Sequence, residues 1–133
     1  VDRWQYYYLF CPAICVVDFG SAPAGRLQHD SPREHHPAVQ IYSCIFLTPE
    51  TERSTHYFYV QSRNFALGDE AVSRDVVAQL EVAFEEDFVI LEAQQRSMDN
   101  FAATDDVKLA LDSAPTRQRR IVERMLYSER FGH

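Results

Sequence analysis

Apolar positions fall in short strand-length runs along the first half of the chain and recur every three to four residues along the second. Trp4 to Phe10, WQYYYLF, is aromatic and suited to a strand, and Ala13 to Phe19, AICVVDF, is an apolar run of strand length. Cys11 and Pro12 stand between them, so the pattern allows two strands or one interrupted strand. Gly20 to Pro37 has little apolar content and is punctuated by Gly and Pro, which predicts a long surface loop. The strongest strand is Val39 to Leu47. A two-residue period puts Val39, Ile41, Ser43, Ile45 and Leu47 on one face and Gln40, Tyr42, Cys44 and Phe46 on the other. Both faces are largely apolar, as in a strand covered on both sides. Thr48 to Arg53 is a polar turn, and Ser54 to Phe65 returns as the second strand of an antiparallel hairpin.

From Asp69 to Met98 the period changes to that of a helix, without Pro or Gly to interrupt it. Asp69 is a fitting N-cap, and helix order is expected to fade near Asn100. Val107 to Leu111 is a short apolar run that suits one more strand. Asp112 or Ser113 can cap a last helix over Pro115 to Arg130, with Ile121, Val122, Met125 and Leu126 as its apolar stripe. Four or five strands followed by helices predict an α+β domain: an antiparallel sheet packed on a long helix.

One residue breaks the pattern of the long helix. At about 100° per residue, Val76, Leu80, Ala83, Phe84, Ile90, Leu91 and Met98 cluster about one line, and Asp87 lies in the middle of it. Glu81, Glu85 and Glu92 project to the opposite, solvated side. A carboxylate on the core side is expensive to bury alone, so Asp87 is expected to be buried and protonated, ion-paired or metal-bound. Gln94, seven residues on, shares its face. Glu85, Glu86 and Asp87 diverge around the helix, which excludes a paired-carboxylate site made from these neighbours.

The chain of 133 residues is 46% hydrophobic and 13% aromatic, enough for one globular domain. A net charge of −7 disfavours nucleic acid and anionic membranes as partners, and no apolar run is long enough to span a bilayer. No signal-peptide layout opens the chain, and a start at Val1 suggests a fragment or processed product. Cys11, Cys15 and Cys44 lack a paired spacing and read as reduced, buried thiols of a cytoplasmic protein. His29, His35 and His36 lie in the polar loop without metal-motif companions; His56 can line a pocket or sit hydrogen-bonded in the core. Arg117, Arg119, Arg120 and Arg124 make the last helix basic, either as a solvated face or as an interface.

The stretches THYFYVQSRNFALGDEA, VAFEEDFVILEAQQ and DSAPTRQRR, with the opening VDRWQYYYLFCPAICVVDFGSAPAG, resemble the C-terminal catalytic region of Rieske non-haem iron oxygenases. The vanillate O-demethylase oxygenase group is the most similar branch, and Phe84 to Gln95 is the most specific part. The resemblance implies a helix-grip fold, here as a partial domain, over residues 1–133. It implies a mononuclear Fe(II) held by two histidines and a carboxylate, the carboxylate being Asp87, and a [2Fe-2S] Rieske cluster supplied by a domain absent from the chain. Neither the D-x-x-H-x-x-x-x-H segment that carries the two histidines nor the cluster motif occurs in the sequence. The implied reaction is O2-dependent hydroxylation or O-demethylation of an aromatic acid. Electrons would come from NAD(P)H through a separate reductase or ferredoxin, and the isolated chain would be inactive. Ile41, Ile45, Phe84 and Gln94 are expected to line the substrate pocket, and the intact protein is expected to form a homo-oligomer, a trimer. Two other readings stand beside this one: a helix-grip module that binds a small apolar ligand without chemistry, and an oligomer-interface fragment.

Overall fold

The computed structural model describes residues 1–25, 39–100, 109 and 112–132. His29, His35, His36, the Val107–Leu111 run and His133 lie wholly or largely outside them. Four strands, β1 (Asp2–Phe10), β2 (Ile14–Ala22), β3 (Val39–Pro49) and β4 (Thr55–Arg63), precede two helices, α1 (Glu70–Asn100) and α2 (Ser113–Phe131). The strands form one antiparallel sheet in the order β1-β2-β3-β4. The α+β class read from the sequence is the class observed.

Cys11 and Pro12, joined by a cis peptide, turn the chain between β1 and β2, so the first two apolar runs are separate strands of a hairpin. The β3–β4 hairpin is closed by Thr51, whose hydroxyl accepts from the backbone amides of Arg53 (3.1 Å) and Ser54 (2.9 Å). A short polar side chain that bonds its own turn in this way is the reason such residues mark turns.

The sequence places Gly20 at the start of a loop, but β2 continues through it to Ala22. Trp4 stands directly across from Gly20 on β1. A Cβ at Gly20 would lie 2.2 Å from the Val39 carbonyl oxygen and 2.5 Å from the Trp4 ring. This glycine is therefore a seat for an indole rather than a breaker of the strand.

Asp69 caps α1 as its position predicts, its Oδ1 accepting from the amides of Ala71 (2.9 Å) and Val72 (3.2 Å). Asp112 occupies the N-cap position of α2 without a side-chain hydrogen bond to the helix, and Pro115 lies in the first turn. The chain divides into two compact units, Val1–Phe65 with Ala110–His133, and Ala66–Leu109. The sheet belongs to the first and α1 to the second. Among the described residues, full burial is confined to the two inner strands, at Val17, Asp18 and Ala22 of β2 and Ser43 of β3.

Candidate functional site

Strand pairing sorts the sheet residues onto two faces. On one, Ile41, Ser43 and Ile45 of β3 align with Phe19, Val17 and Cys15 of β2 and with Arg63, Gln61 and Tyr59 of β4. Ile41 and Ile45, both read as pocket residues, thus share a face and flank Ser43. Ser43 is only 4% exposed, and its Oγ accepts a 2.6 Å hydrogen bond from Gln61 Nε2 across the strands. The Gln61 Oε1 is shielded from solvent and has no hydrogen-bond partner. An unmet buried acceptor of this kind costs about 1–3 kcal/mol. Beside it, Arg63 Nε donates to the Phe65 carbonyl (2.8 Å) and its guanidinium lies over the Phe65 ring. Burial pushes the Cys15 thiol above its ordinary pKa of 9.0.

The opposite face holds a second polar group, missed in the sequence. Asp18 is fully buried, the most enclosed side chain of the described residues. Its Oδ1 accepts from Trp4 Nε1 and from Gln40 Nε2, each at 2.9 Å, and Gln40 Nε2 also donates to the Tyr42 hydroxyl at 2.9 Å. These donors come from the strands on either side of β2, so the carboxylate ties β1, β2 and β3 together. A carboxylate inside the apolar run AICVVDF was the available signal, of the kind that singles out Asp87.

On α1, Val72, Val76, Leu80 and Phe84 recur every fourth residue and are half-buried, while every residue from Glu85 to Asn100 is exposed. Asp87 lies one turn beyond Phe84 and is exposed, which corrects the expectation of a buried acid. The apolar stripe runs on past it, with Ile90 and Leu91 at 64% and 60% exposure. Periodicity assigns a side of a helix, whereas burial also needs a surface to meet that side. Gln94 is likewise exposed.

His56 is also a surface residue. It stacks on Phe58 at 5.8 Å and approaches Glu50 at 3.7 Å, at the exposed end of the β3–β4 hairpin. Cys11, Cys15 and Cys44 are free and half-buried rather than fully enclosed. The arginines Arg117, Arg119, Arg120 and Arg124 are exposed along α2. Among the described residues, no three His, Cys, Asp or Glu side chains come together as a metal-binding group. Asp87 offers one oxygen donor, and a facial triad needs two more ligands, so the described residues do not by themselves fit a mononuclear iron. No helix among them is long and apolar enough to cross a membrane.

Comparison with known proteins places this arrangement. The toluene-4-sulfonate monooxygenase system iron-sulfur subunit of Comamonas testosteroni is 37% identical over 131 residues, covering 98% of this chain and 38% of that protein. A vanillate O-demethylase oxygenase subunit from a Pseudomonas species is 32% identical over 130 residues, covering 98% of this chain and 39% of the relative. The oxygenase component of dicamba O-demethylase from Stenotrophomonas maltophilia is 39% identical over 130 residues, with 94% and 36% covered. The chain thus spans less than two fifths of the length of these curated relatives. No solved structure matches it significantly. Residues 1–128 match the family described as the vanillate O-demethylase oxygenase C-terminal domain, and the chain belongs to that family.

Proposed function

We propose that this chain is the C-terminal part of the catalytic domain of a Rieske-type oxygenase that hydroxylates or O-demethylates an aromatic substrate with O2. The observation that carries the reading is the family match over residues 1–128, reinforced by relatives named as monooxygenase and demethylase components. In the intact protein Asp87 supplies the carboxylate of a mononuclear Fe(II), and the two histidines come from a segment this sequence lacks. A [2Fe-2S] cluster and a separate reductase or ferredoxin deliver electrons from NAD(P)H. Ile41 and Ile45 on the sheet contribute to the pocket for a small aromatic acid, their β3 face offering apolar surface to a ring. The assembly is a cytoplasmic homo-oligomer, a trimer.

The test is Asp87→Ala in the full-length protein. Metal analysis should show the mononuclear iron lost, the visible absorbance of the Rieske cluster should persist, and substrate turnover should fall by at least a hundredfold. Retention of both iron and turnover in the variant would remove Asp87 from the site.

A further inference from the structure

Each helix carries an exposed stripe of charged and aromatic residues, and the two stripes are opposite in sign. Along α2, Arg117, Arg120 and Arg124, followed by Tyr127 and Phe131, fall within about 40° of one line at helical spacing. All five are exposed, Tyr127 at 64% and Phe131 at 58%, and these two rings lie 4.7 Å apart. Glu123 and Glu129, the acidic residues of α2, stand off this line. Along α1, Glu81, Glu85, Phe88 and Glu92 form a second line, with no basic residue between Glu81 and Glu92. These four are exposed as well, Phe88 at 57%. They project away from the line that carries Asp87, so the stripe is separate from the proposed iron position.

The stripes match in spacing as well as in charge. Arg117, Arg120 and Arg124 are separated by three and four residues, and so are Glu85, Phe88 and Glu92. Two such helices laid side by side in the same direction would bring Arg117 to Glu85 and Arg124 to Glu92, with Arg120 over the Phe88 ring. Arg96 approaches Glu92 at 3.5 Å within α1, an exposed pair weak enough to give way to an incoming arginine. Charges alone suit a solvated face, whereas arginine joined with aromatic rings is the composition enriched in protein–protein interfaces. One chain carries both halves, so the partner that fits is another copy. At a net charge of −7 copies repel one another, and the α2 stripe supplies the local attraction. We propose that the α2 stripe of one copy docks on the α1 stripe of a second copy. The contact is head-to-tail, so each copy has one stripe left for the next and the chain of contacts can close into a ring. This inference rests on the reading of the intact protein as a homo-oligomer and names the contact that holds it.

Sedimentation velocity on the full-length protein tests the contact. Reversing the basic stripe with Arg117→Glu, Arg120→Glu and Arg124→Glu together should weaken self-association at least a hundredfold. Adding Glu81→Arg, Glu85→Arg and Glu92→Arg to the same chain should restore the wild-type mass. Raising salt from about 0.05 to about 0.5 M should weaken the wild-type assembly and leave its melting temperature nearly unchanged. If the reversed protein fails to fold, which circular dichroism would reveal, the neutral set Arg117→Gln, Arg120→Gln and Arg124→Gln serves instead and should weaken association about tenfold. An oligomer whose mass is unchanged by these substitutions overturns the contact. A lowered melting temperature at unchanged mass does so too, since the stripes would then act within one copy. A folded six-fold variant that stays dissociated also overturns it. A wild-type protein that sediments as a monomer removes the homo-oligomer reading itself, and the contact with it.

Discussion

Asp18 shows how much one side chain can hold in a sheet with so small a core. Its carboxylate collects the Trp4 indole and the Gln40 amide from the two flanking strands. Asp18→Ala would leave both part-buried donors without their acceptor, and should lower the unfolding free energy by about 1–3 kcal/mol in urea titrations. Gly20→Ala acts on the same seam by a different route, pressing a methyl against the Val39 carbonyl and the Trp4 ring. A loss of about 1–3 kcal/mol is expected, measurable in the same titration. Cys15 gives a pH signature. Burial raises its pKa in the folded state above the ordinary 9.0, so the unfolded chain ionises first as pH rises. Its contribution to stability is complete below about pH 9 and declines above it. Cys15→Ser should flatten the alkaline limb of a stability–pH curve. At this scale the sequence was only partly legible. Glycine reads as punctuation, and nothing local reveals that Gly20 faces an indole. Asp18 sits in an apolar run, yet a two-residue period directs alternate residues to opposite faces without saying which face is closed. The Ser43–Gln61 pair exists only through the β3–β4 register.

Among the elements, those with a clear period were readable and their ends nearly so. The β3–β4 hairpin, the Asp69 cap and the end of α1 at Asn100 were legible because turn chemistry and capping act within a few residues, whereas Cys11 and Pro12 left two strands or one interrupted strand open. Asp69→Ala should remove the bond to two α1 amides and destabilise the helix by about 1 kcal/mol, visible as reduced ellipticity at intermediate urea. Burial along α1 was not legible, because a stripe records a preference and its cover lies elsewhere. The half-buried positions stop at Phe84. Amide exchange should follow that boundary, with protons of residues 88–100 exchanging faster than those of Val16 to Phe19, paired on both sides within the sheet. Equal protection in the two segments would contradict this ordering.

For the molecule as a whole, charge is divided by element. α1 carries eight acidic residues against two arginines, whereas α2 carries five arginines against two glutamates. A net charge of −7 therefore conceals two helices of opposite sign. The fold class was accessible from the order of strands and helices alone. The candidate site was accessible only in part, since the periodicity of α1 singles out Asp87 but a triad is defined by three residues and this sequence shows one.

The seating of Trp4 on Gly20 has an optical consequence. Trp4 is the chain's single tryptophan, and α1 contains neither tryptophan nor tyrosine. Excitation at long ultraviolet wavelengths therefore reports from the β1–β2 seam and excites no residue of the long helix, whereas far-ultraviolet dichroism is dominated by helical residues. A heating curve in which ellipticity declines while the emission maximum holds still would mark helix melting while the β1–β2 seam stays intact. Gly20→Ala, by displacing the indole, should shift emission at room temperature before any unfolding begins.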